Sequence, residues 1–86
     1  MGTAGEARKA FRYAVAAEPQ NTAAQMEIGE ILLAQNMDHD AAELFAAISQ
    51  TNPEDVHVYN RLGIAYRKQG KFQEAIAEYQ KALQVD

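Results

Sequence analysis

His39 and His57 are the only histidines of the chain, and it has no cysteine. Imidazole, thiolate and carboxylate are the groups that bind transition metals or drive nucleophilic chemistry near neutral pH. The segment Asp38-His39-Asp40 sets three such groups in a row. Adjacent residues on a helix point in different directions, so this triplet is not a chelate. Acids gathered at a helix start, where the backbone dipole favours negative charge, account for it more simply. Glu27 and Glu30 share one helical face, but no nucleophile or second base accompanies them. A glycine-rich phosphate loop is absent. Arg8, Lys9 and Arg12 form a small basic patch that reads as a solvated face rather than a phosphate contact. These residues imply no enzyme, no metal and no cofactor.

Charge is nevertheless patterned. Residues 1–21 carry Glu6, Arg8, Lys9, Arg12 and Glu18, a sum of +1. Residues 22–55 carry Glu27, Glu30, Asp38, Asp40, Glu43, Glu54 and Asp55 with no Lys or Arg, giving −7. Residues 56–86 carry five basic and three acidic groups, giving +2. The acidic middle argues against nonspecific DNA or RNA binding.

The elements that position these groups must fit into 86 residues, room for one small domain spanning 1–86. No apolar run approaches the ~18–20 residues that cross a bilayer, so membrane insertion is not expected. The start, MGTAGEARKAF, lacks the apolar stretch of a signal peptide. With the absence of cysteine this fits a reducing, cytoplasmic setting. The chain is expected to be a fragment of a larger protein.

Pro19 and Pro53 stand 34 residues apart, and so do Gly29 and Gly63, Ala41 and Ala75, and Phe45 and Tyr79. One offset shared by four pairs is a repeat. Extended backwards, it sets Ala7, Phe11 and Ala14 under Ala41, Phe45 and Ile48. Within the period, Tyr59, Leu62, Gly63 and Tyr66, then Ala75, Tyr79, Ala82 and Leu83, follow helical spacing. The spacing predicts five helices, at about 4–17, 22–35, 38–51, 56–69 and 72–85. Asn21 and Asp55 stand at N-cap positions. Asn36 and Gly70 stand where a left-handed residue ends a helix. Pro19 and Pro53 separate the units. Few β-branched residues and no period-two alternation leave no strands.

The stretch NRLGIAYRKQGKFQEAIAEYQKAL, with Tyr59, Leu62, Gly63, Tyr66, Gly70, Phe72, Ala75, Tyr79 and Ala82, resembles the tetratricopeptide repeat. That family builds an all-α, right-handed solenoid of helix–turn–helix units. In the unit 22–55, Ile28, Gly29, Leu32, Ala41, Phe45 and Pro53 match, whereas Gln25 and Asp38 replace expected aromatics and Ile48 a small residue. Residues 1–21 resemble only the second helix of a unit. The implied architecture is a half repeat, 1–21, then repeats 22–55 and 56–86. Glycine or alanine at a helix crossing lets backbones approach, and Phe45 and Tyr79 fill the space beside it. The larger Ile48 is expected to spread its helix pair locally, which would make Ile48→Ala cheap.

The resemblance implies a concave groove lined by the first helix of each unit. In the first full repeat this face holds Ala23, Met26, Glu27, Glu30, Leu33 and Ala34. In the second it holds His57, Asn60, Arg61, Ile64, Arg67 and Lys68. A protein partner, either an extended peptide or a helix, would lie there with carboxylates on Arg61, Arg67 and Lys68. A clamp for a peptide's C-terminal carboxylate, known in the family, is not expected, because His57 and Glu27 replace the lysine and asparagine it requires. The alternative is self-association. Ala7, Phe11 and Ala14 at one end, and Ile76, Leu83 and Val85 at the other, lack a neighbour; either the flanking units of a longer array cover them, or a homodimer does.

Overall fold

The computed structural model describes residues 21–85, which form four α-helices. We label them α1 (Thr22–Ala34), α2 (Asp38–Thr51), α3 (Val56–Lys68) and α4 (Phe72–Val85). Each packs on the next along the chain, and no strand occurs among the described residues. These are the second to fifth of the five expected helices. The expected helix at 4–17, with Ala7, Phe11 and Ala14, lies outside the described residues, as does Pro19.

Local chemistry sets the helix limits. The Ala24 amide donates to Asn21 Oδ1 at 3.0 Å, and the His57 amide to Asp55 Oδ1 at 3.0 Å. Each cap satisfies an amide that the first turn leaves without an intrahelical partner. The first helix of each repeat ends in the same hydrogen-bonded turn. After α1, the Asn36 amide donates to the Leu33 carbonyl and the Met37 amide to that of Leu32. After α3, the Gly70 amide donates to Arg67 and the Lys71 amide to Tyr66. The motif requires a left-handed residue, supplied by Asn36 at φ 61° and Gly70 at φ 78°. Between the repeats, Tyr59 Oη donates to the Pro53 carbonyl at 2.7 Å and fixes the connecting turn to α3.

The core runs between α1, α2 and α3. Leu32, Leu44, Phe45, Ile48 and Val58 are its largest fully buried side chains. Phe45 packs directly on Gly29, where an added Cβ would stand 2.5 Å from the ring's Cζ. Tyr79 sits on Gly63 in the same way, at 2.6 Å from Cε1. The repeating Gly–aromatic pair is therefore one contact made twice, a bare patch of first helix under a ring of the second. Ile48 is enclosed at 1 % exposure. A side chain enclosed on all sides belongs to a filled core, which is not the condition that would make its truncation cheap.

Candidate protein-binding face

The expected groove residues fall into three groups. Met26 and Ile64 are half-buried and pack against the core. Ala23, Ala34, Glu27, His57 and Arg67 are exposed, and Asn60 is half-buried. The third group is engaged within the chain.

Arg61 Nε donates to Glu30 Oε2 at 2.6 Å. This ion pair runs from α3 to α1, the first helices of successive repeats. Both side chains remain two-fifths or more exposed, so the pair contributes only about 0.2–1 kcal/mol. A partner carboxylate can compete for Arg61 at little cost.

Lys68 is held differently. Its ammonium donates to the Leu33 carbonyl at 2.8 Å and to Asn36 Oδ1 at 3.2 Å. Asp38 Oδ1, 3.0 Å away, supplies counter-charge rather than a hydrogen-bond acceptor. Two hydrogen bonds and one ion pair tie this ammonium to the first full repeat and the turn after its first helix. Lys68 thus caps the end of α1 and joins the two repeats. Leu33, expected in the groove, is 8 % exposed and belongs to the core, where its side chain is out of a ligand's reach. No sequence signal pairs Lys68 with Leu33 and Asn36, because the contact depends on how one repeat is seated on the other.

Two free charges remain on this face. Glu27 and Arg67 are exposed and meet no oppositely charged group among the described residues. Arg67 also lies in the last turn of α3, where the helix dipole favours a cation.

The other candidate chemistry is dispersed. Asp38 faces Lys68, Asp40 is buried and His39 is exposed, as their consecutive positions on α2 require. His39 borders a depression of about 200 Å³ with Glu43, Tyr66 and Lys71, and no second imidazole joins it. No three His, Cys, Asp or Glu side chains converge among the described residues. None of the described helices is long and apolar enough to cross a membrane.

Comparison with known families agrees with the repeat. A tetratricopeptide repeat model matches residues 56–86, and a second model of that repeat matches residues 1–63. No curated protein matches the chain.

Proposed function

The chain belongs to the tetratricopeptide repeat family, whose repeats are generally protein–protein interaction modules, and on that premise we propose that it is a non-catalytic scaffold binding a peptide or helix across α1 and α3. The observation that carries this reading is the Glu30–Arg61 bridge, which joins the two first helices. Met26 on α1 and Ile64 on α3 add half-buried apolar side chains. Glu27 and Arg67 offer a carboxylate and a guanidinium that meet no oppositely charged group among the described residues. The bound segment therefore carries an apolar side chain, an acid for Arg67 and a base for Glu27. Arg61 can supply a second contact to an acid once Glu30 is displaced, whereas Lys68 is committed to its cap.

A random peptide library displayed on phage and selected on the 86-residue chain tests this. Enriched peptides should carry an acid and lose about tenfold or more in affinity against Arg67→Glu, the scale of one charge-assisted contact. Lys68→Met should leave their affinity unchanged. Enriched peptides indifferent to both Glu27→Lys and Arg67→Glu would remove the groove from consideration.

A second reading is self-association. It is favoured by the large apolar side chains that α4 exposes.

A further inference from the structure

Gln69 Nε2 donates to the Asp38 carbonyl at 3.3 Å, which holds the end of α3 against the first turn of α2. Beside this contact, Ala42 and Ala46 of α2 and half-buried Tyr66 of α3 border the depression of about 200 Å³ that His39 also lines. Glu43 and Lys71 complete its lining, and they and His39 are exposed. Both walls of the depression come from within the described chain, α2 on one side and the end of α3 with the following turn on the other.

Contacts that stack one repeat on the next recur at the offset of 34, as the aromatic on each glycine does. The lining of this depression does not recur. Ala42 and Ala46 correspond to the larger Ile76 and Gln80, His39 and Glu43 to the uncharged Gln73 and Ala77, and Lys71 to Met37. The small residues that leave the space, and the charges around it, are therefore particular to this junction and are not demanded by the repeat.

Glu43 and Lys71 bring opposite charges to one depression, yet neither forms an ion pair with the other or with any described residue. Opposite charges that line one space without meeting are satisfied together by a molecule that carries both. The His39 imidazole adds a hydrogen-bonding group on the same turn-and-a-bit of α2 as Glu43, four residues before it. The Tyr66 ring and the two alanine methyls supply an apolar wall. A cavity of ~150 Å³ is large enough for benzene, so this space suits a ring or a branched alkyl group.

We infer that the depression binds a free α-amino acid with an apolar side chain. The carboxylate of the ligand takes the Lys71 ammonium and a His39 N–H, and its ammonium takes the Glu43 carboxylate. Its side chain lies over Ala42 and Ala46 against the Tyr66 ring. Two charge-assisted contacts on an exposed rim give weak binding, on the order of millimolar. None of these residues belongs to the groove, so this inference stands or falls separately from the peptide-binding reading.

Nitrogen–proton correlation spectra of the 86-residue chain, titrated with phenylalanine to well above ~1 mM, test it. Saturable shifts are expected at His39, Glu43, Tyr66, Lys71 and their neighbours. Phenylethylamine, which lacks the carboxylate, and phenylpropionate, which lacks the ammonium, should each bind about tenfold or more weakly. Glu43→Gln and Lys71→Gln should each cost the same factor at unchanged helical circular dichroism, because both side chains are exposed and unpaired among the described residues. N-acetyl-phenylalanine amide stands in for a residue of a partner protein and should not bind. The absence of a saturable shift overturns the inference. So does equal binding of either singly charged analogue or of the neutral amide, or an affinity unchanged in either variant.

Discussion

The Lys68 ammonium donates to the Leu33 carbonyl at 2.8 Å, so the last turn of α3 closes the last turn of α1. That carbonyl also accepts the Asn36 amide at 3.0 Å. Both of its lone pairs are thus in use at a helix end where carbonyls otherwise lack partners. A residue whose sequence position suggests ligand binding is in fact the tie between repeats. Lys68→Met keeps most of the stem's apolar packing and removes the charge. It leaves Asp38, whose side chain is only 16 % exposed, without its cation. The expected loss is about 1–3 kcal/mol, read by urea denaturation. In a double-mutant cycle with Asp38→Asn, the two losses should fall short of additive.

Gly29 and Gly63 occupy equivalent positions but should respond differently to alanine. Helix propensity favours alanine by about 1 kcal/mol at both. At Gly29 the new methyl meets Phe45, which is fully buried and has nowhere to move. Overpacking of this kind costs about 1–3 kcal/mol, so Gly29→Ala should be destabilising on balance. At Gly63 the ring is that of Tyr79, half-buried on the last helix and able to shift outward. Gly63→Ala should be close to neutral. Thermal melts of the two variants, recorded side by side, compare them directly.

Ile48 stands where the next repeat has Ala82, which invites the expectation that the larger side chain is poorly accommodated. Its 1 % exposure places it among the largest fully buried residues. Ile48→Ala should therefore cost the ~2–5 kcal/mol of an enclosed isoleucine, and Ile48→Val about 0.5–1.5 kcal/mol. A denaturation midpoint unchanged by Ile48→Ala would restore the idea of a spread helix pair.

Glu78 is 7 % exposed on α4; its Oε2 accepts from Lys81 at 3.0 Å while its buried Oε1 has no hydrogen-bond partner among the described residues. An unsatisfied buried polar atom costs about 1–3 kcal/mol, more than an exposed i,i+3 pair returns. Glu78→Met, similar in length and apolar, should leave the melting temperature unchanged or raise it. A clear drop would mean that the carboxylate has a structural partner.

The repeat itself was legible in the sequence because its determinants are local or periodic. Asn21 and Asp55 cap helices through bonds that span two or three residues. Asn36 and Gly70 end helices through their own backbone angles, and the offset of 34 announces equivalent contacts, down to the aromatic seated on each glycine. Tertiary structure decided which members of a predicted stripe are free. Glu30 and Arg61 neutralise each other, Leu33 turns into the core, and Lys68 donates to Leu33 and Asn36, whereas Glu27 and Arg67 meet no opposite charge among the described residues. Helical periodicity specifies the direction in which a side chain leaves its own helix. What it meets there depends on how one repeat is seated on the next, a relation between residues more than thirty positions apart that no local pattern encodes.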